Sequence, residues 1–81
     1  MKKHTKIYMT HFNYTIADFI GCENCGAKSV DIHHIDNKGM GGSNEKDYIE
    51  NLIALCQMCH TNAHQHTEFN QELKKIHLLN L

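Results

Sequence analysis

Two Cys-x-x-Cys units, Cys22-Glu23-Asn24-Cys25 and Cys56-Gln57-Met58-Cys59, stand 30 residues apart in a chain of 81. A chain this short buries too little apolar surface to be comfortably stable by packing alone, and needs a disulfide, a metal or a partner. Tetrahedral zinc takes four thiolate or imidazole ligands, and paired knuckles at this spacing deliver them. Zinc held by Cys22, Cys25, Cys56 and Cys59 would close the intervening loop and turn binding free energy into folding free energy. Two disulfides or two reduced redox pairs are the alternatives, although neither pair stands in a thioredoxin-like context. The chain opens Met-Lys-Lys-His-Thr-Lys with no long apolar run after it. We therefore expect no secretory signal and no membrane span. A cytoplasmic location follows as an expectation, and a reducing compartment favours metal over disulfides.

The order of elements is read from pattern. Residues 1–20 carry no firm signal, although a short helix near Ile16–Ile20 is compatible with them. Cys22–Gly26 is a tight turn. Val30–Ile35, with β-branched residues at alternate positions, reads as a strand. Asp36–Asp47, with Gly39, Gly41 and Gly42, reads as a loop. Leu52–Leu55 is a second strand or the start of a helix, since periodicity cannot decide so short a run. Gln57–Gln65 suits a helix. Thr67 can cap a following helix with Phe69, Leu73, Ile76 and Leu79 near helical spacing. The expectation is one small α+β domain over residues 1–81, with its motifs in residues 20–66 and a C-terminal helix over 67–81.

Eight histidines accompany eight lysines, no arginine and a net charge of −1. That balance argues against a tight, free-standing binder of nucleic acid, whose nonspecific affinity comes from cations meeting phosphates. A weak binder, or one docked on a larger assembly, remains. Four histidines form a pattern. His33 and His34 are adjacent at the end of the first strand. His60 follows Cys59 directly, and His64 lies four residues on, so both share one helix face and can meet one metal. His4, His11, His66 and His77 have no matching partners and read as surface residues, with His66 near enough to the site to stay open.

The ordered set Cys22-x-x-Cys25, Asp31-Ile32-His33-His34-Ile35, Gly41-Gly42, Glu50-Asn51-Leu52 and Leu55-Cys56-x-x-Cys59-His60 with His64 resembles an HNH endonuclease. The resemblance covers about residues 20–66. It implies a ββα-metal core stabilised by a structural zinc, and metal-dependent hydrolysis of DNA phosphodiester bonds, by nicking or cleaving. It places His34 as general base, His33, His60 and His64 around a catalytic divalent metal, and Asn51 as the residue that ties down the loop and helps orient the base. The implied products carry 5′-phosphate and 3′-hydroxyl ends. The implied partner is DNA, double-stranded and with little intrinsic sequence choice, and no membrane. Small members serve phage packaging, restriction or mobile elements, which suggests a bacterial or phage-encoded protein.

The chemistry requires these residue types. A phosphodiester repels nucleophiles, and a divalent cation neutralises the nonbridging oxygen and the leaving oxygen. A histidine takes a proton from water near neutral pH because its ordinary pKa is about 6.5. The chain departs from many members in having His33 where they carry Asp. An imidazole-rich site favours Mn²⁺, Ni²⁺, Co²⁺ or Zn²⁺ over Mg²⁺. In a regular strand His33 and His34 point to opposite faces, so both reach one phosphate only if the strand twists or ends there.

Plainer roles stand beside these. His60 can serve as a zinc ligand, His64 as a solvated helix residue and Asn51 as a turn residue. Asp31 and Asp36 are orienters or solvated charges. The stretch from Lys38 to Ser43 approaches a phosphate or simply turns. Lys2, Lys3 and Lys6 form a solubilising tail or an arm on DNA. The rival functions are a non-catalytic zinc-knuckle module that binds nucleic acid or protein, and a zinc-stabilised inhibitor or assembly factor. A pure binding module needs no His34 beside its knuckles.

Overall fold

The structure, a computed structural model, describes residues 2–36 and 47–81. The glycine-rich stretch from Lys38 to Ser43 lies outside the described residues, as does most of the expected loop. In chain order the elements are α1 (Lys3–His11), β1 (Asp31–His34), a 3₁₀ turn (Ile49–Asn51), β2 (Leu52–Leu55), α2 (Gln57–Gln65) and α3 (Thr67–Asn80). Among the described residues no helix is long and apolar enough to cross a membrane.

β1 and β2 form an antiparallel ribbon in which Asp31 faces Leu55, Ile32 faces Ala54, His33 faces Ile53 and His34 faces Leu52. Alternation along a strand sends successive side chains to opposite faces. Ile32, Leu52 and Ala54 therefore pack on one face with Tyr8 of α1. Ile53 and Leu55 pack on the other with Cys22, Cys56, Cys59 and Ala63, joined by Leu73 of α3. Both faces are covered, which explains why Leu52–Leu55 is a continuous apolar run and is buried throughout. Burying each of the leucine and isoleucine side chains among them contributes about 1.5–3 kcal/mol.

The N-terminal segment differs from expectation. The helix is α1, not Ile16–Ile20. It ends where Asn13 takes a left-handed conformation, φ 61°. There the Tyr14 amide donates to the Met9 carbonyl at 2.8 Å and the Asn13 amide to Thr10 at 3.2 Å. This 6→1 and 5→2 pair satisfies the last carbonyls of the helix, with Asn in the position glycine usually takes. Thr15 and Asp18 then close a local turn through their own hydrogen bonds, and Ile16 is solvent-exposed. Lys3 and Lys6 belong to α1, so they are held in a helix and not in a mobile arm.

α3 also departs in detail. Thr67 is its first helical residue, and the cap position falls on His66, without a side-chain cap. Leu73 is fully buried and Phe69 packs beside it, but Leu79 is exposed. His77, expected on the surface, is fully buried instead.

Candidate active site

The first knuckle is built by backbone. The Cys22 amide donates to Ala27 at 2.6 Å and the Gly26 amide returns to the Cys22 carbonyl at 2.8 Å. Gly26 sits at φ 83°, a conformation a side chain would strain. The second knuckle is the start of α2. Cys56 is the N-cap of that helix, and its sulfur accepts from the Cys59 amide at 3.5 Å.

The two knuckles bring all four sulfurs within 4.8 Å of one another. Cys25 Sγ lies 3.6 Å from Cys56 Sγ and 3.8 Å from Cys59 Sγ. Tetrahedral zinc with Zn–S of about 2.3 Å sets its sulfurs about 3.8 Å apart, so the cluster fits that ion. The four cysteines are free, not paired as disulfides. Burial and the neighbouring sulfurs push the Cys59 thiol up to about 12, against the Asn24 amide that donates to its sulfur. A dication among the sulfurs reverses that preference by stabilising thiolates. Cys22, Cys25, Cys56 and Cys59 are thus positioned to hold a metal ion, as a structural zinc requires.

The cap at Cys56 sets where the histidines of α2 point. Cys59 and Ala63 face the core, and His60 and His64 take the adjacent stripe. Their Nε2 atoms approach to 3.1 Å. His33 comes from the α2 face of β1, its ring 5.2 Å from both of theirs. The ligand nitrogens of His33, His60 and His64 lie within 4.8 Å of one another. Across that gap one imidazole N–H can donate to the other's lone pair, and with both lone pairs turned inward the two rings can instead bind one cation. A tetrahedral ion with metal–nitrogen distances near 2.0–2.1 Å sets neighbouring ligands about 3.3 Å apart. The donor chemistry and spacing therefore fit a divalent ion.

The surroundings of His33 suit such a role. Burial, with the charges of His60 and His64, holds its pKa below the ordinary histidine range although Asn70 opposes the shift. Asn70 of α3 donates its amide to the Ile35 carbonyl at 2.5 Å, which turns its oxygen toward His33 Nε2 at 3.0 Å. His33 donates through Nε2, and Nδ1 keeps the lone pair.

His34 leaves the opposite face of β1, as strand geometry requires. Its Nε2 donates to Asp47 Oδ1 at 2.7 Å, and its ring packs against His4 of α1 with centroids 4.5 Å apart. With Nε2 committed to a carboxylate, the neutral ring carries its lone pair on Nδ1. The two faces still share one space because the ribbon is two strands wide. A depression of about 340 Å³ runs along β1 and is lined by Lys2, His4, His33, His34, His60 and His64, among others. A second depression, about 380 Å³, meets it at His33 and His34 and is flanked by Lys74.

Asn51 holds the chain just beyond the pair. Its Oδ1 accepts from the Asp36 amide at 2.7 Å, its Nδ2 donates to the Asp36 carbonyl at 3.1 Å, and its own carbonyl accepts from Ile35. Asp31 Oδ2 stands 3.7 Å from His60 Nε2 at the rim. Three residues at this site, His4, Asp47 and Asn70, carry no motif signal. The one clue for Asn70 is its place on the inner stripe of α3 with Leu73 and His77.

A zinc-type cluster of four cysteines capping the helix of a ββα unit, with histidines from strand and helix converging beside it, defines a ββα-metal fold. A family model described as HNH endonuclease matches residues 22–66, more than half of the chain, and the protein belongs to that family. Comparison with curated proteins and with solved structures gave no match.

Proposed function

We propose that this protein is a metal-dependent endonuclease that hydrolyses phosphodiester bonds of double-stranded DNA. The observation that carries the reading is the single depression shared by the His33–His60–His64 triad and by His34, whose Nε2 is held by Asp47. A divalent ion held by the triad would neutralise charge on the scissile phosphate and the leaving oxygen. The neutral imidazoles favour Mn²⁺, Ni²⁺ or Zn²⁺ over Mg²⁺.

His34 acts as general base through Nδ1. It takes a proton from the water that attacks phosphorus, and the bond to the 3′ oxygen breaks. The products are a 5′-phosphate and, after protonation from solvent, a 3′-hydroxyl. Asp47 keeps His34 in the tautomer this step needs, and stabilises the imidazolium that results. Asn51 fixes the backbone two residues beyond His34, which limits how far the base can wander. Lys2 and Lys74 flank the depressions and meet neighbouring phosphates, a modest cationic contribution in keeping with a net charge of −1.

Plasmid nicking with Mn²⁺, Ni²⁺ or Mg²⁺ tests the reading. The wild type should convert supercoiled to open-circular DNA. His34→Ala should lose at least about a hundredfold in rate, as expected when a general base is removed, with its melting temperature nearly unchanged. Equal rates would remove His34 from the mechanism. No cleavage with any ion would assign the protein to the zinc-knuckle binding modules.

A further inference from the structure

A second set of donors lies beside the triad and shares none of its residues. His4 stands in the first turn of α1, His34 ends β1, and Asp47 precedes the 3₁₀ turn. One ligand atom from each lies within 4.8 Å of the other two, and all three residues are half-buried. His34 Nε2 and Asp47 Oδ1 are already 2.7 Å apart, and the His4 ring packs on that of His34. Two imidazoles and a carboxylate, with a fourth position open to water, are a donor set that zinc takes. Zinc bonds of about 2.0–2.2 Å set the ligand atoms about 3.4 Å apart. Reaching that spacing asks the His34–Asp47 contact to lengthen from 2.7 Å while the three ligand atoms, already within 4.8 Å, close on one point. Half-burial gives an ion access from the shared depression.

We propose that His4, His34 and Asp47 form a second zinc site, whose occupation takes His34 out of the reaction. A neutral imidazole has one N–H and one lone pair. While Nε2–H is hydrogen-bonded to Asp47, the lone pair on Nδ1 is available to water. Zinc that shares Asp47 with His34 must bind Nε2, the nitrogen that faces that carboxylate. The ring proton then moves to Nδ1, so no proton is released and no basic nitrogen remains. The site is thus inhibitory, answers to free zinc, and draws one ligand from α1, outside the residues that match the family. The existence of the site is independent of the nuclease reading, whereas its inhibitory effect rests on it.

The test uses the full chain with its cysteine site loaded. Zinc is titrated into it by calorimetry, with zinc retention by the cysteines as the folding control. His4→Ala and Asp47→Asn should each bind one zinc equivalent fewer than wild type, or bind it at least about tenfold more weakly. Asp47→Asn retains an acceptor for His34, so it keeps the site's hydrogen bond while losing the carboxylate. His33→Ala should lose the other, triad-bound equivalent and keep this one. Wild-type stoichiometry and affinity in both His4→Ala and Asp47→Asn would overturn the site. In Mn²⁺-driven nicking, zinc should inhibit wild type at concentrations at least about tenfold below those needed for His4→Ala. Equal inhibition of the two would place the effect at the triad and overturn the switch. Absence of nicking with every ion would overturn the nuclease reading and the switch with it, while calorimetry still decides the site.

Discussion

Asn70 Oδ1 lies 3.0 Å from His33 Nε2 because the amide nitrogen of the same side chain is held by the Ile35 carbonyl. An imidazole whose far nitrogen donates to a fixed acceptor is locked in one tautomer and one orientation, and loses less freedom on meeting a cation. Asn70→Ala should therefore weaken binding of Co²⁺ or Ni²⁺ at the triad by about tenfold to a hundredfold. Calorimetry on zinc-loaded protein measures it, and an unchanged affinity would deny Asn70 any part in preparing His33. The four cysteines and His33, His34, His60 and His64 are legible in the sequence because short-range rules govern them: two knuckle spacings, an adjacent pair and an i, i+4 pair. Asn70, His4 and Asp47 are not, because tertiary packing delivers each from a separate segment. His77 escapes sequence reading for the same reason. A histidine on the inner stripe of a helix looks out of place until its partner, Glu23, is brought against it from 54 positions away.

At the scale of elements, one sulfur serves both a metal cluster and a helix. Cys56 is a candidate zinc ligand and also the N-cap of α2, so metal and helix start are fixed together. Cys56→Ser separates the two roles, since serine caps well but is a poor replacement for a thiolate on zinc. The variant should lose cooperative unfolding and zinc retention, because structural zinc contributes folding free energy directly. Circular dichroism with a thiol-competent zinc assay measures both, and a folded, zinc-loaded variant would contradict the assignment. β1, α2 and α3 are readable from alternation, composition and helical spacing. α1 is not. It lacks an acidic first turn and a side-chain cap, and its stop signal is an asparagine rather than a glycine, followed by Thr15–Asp18, whose residues mimic a helix start without propagating one.

Across the whole molecule, Glu23 ties both outer helices to the first knuckle. It accepts from Tyr8 of α1 at 2.6 Å, and from His77 and Asn80 of α3 at 2.9 and 3.0 Å. His77 donates from its other nitrogen to the Ile49 carbonyl. With acceptors at both nitrogens, His77 is an imidazolium. Burial by itself would lower its pKa, but Glu23 and the Ile49 carbonyl outweigh burial and hold it above the ordinary histidine value. Burial likewise works to raise Glu23, and the donors His77, Asn80 and Tyr8 outweigh it and hold the carboxyl below its ordinary range. The stabilisation from His77 is fully present below its unfolded pKa of about 6.5 and is lost as pH rises through the higher folded value. That from Glu23 is present above about 4.3 and is lost as pH falls through the lower folded value. At saturating zinc, the melting temperature of wild type relative to His77→Gln should be greatest between about pH 4.3 and 6.5. The gap should narrow toward pH 9, by about 4–8 °C for each kcal/mol of coupling lost in a protein of this size. A gap that does not change with pH would show His77 to be neutral.

β1 has a neighbour on one side only, among the described residues. Bare strand margins tempt other chains to zip on and form insoluble stacks, and proteins usually deter this with charge or twist. Here Asp31, His33 and His34 populate that margin. Any foreign strand settling there would have to bury the carboxylate of Asp31 and the half-buried imidazole of His34, and would fill the depression that His33, His34, His60 and His64 line. On the proposed nuclease reading a vacant margin is a condition of activity, and the polar groups that line the depression also keep that margin clean.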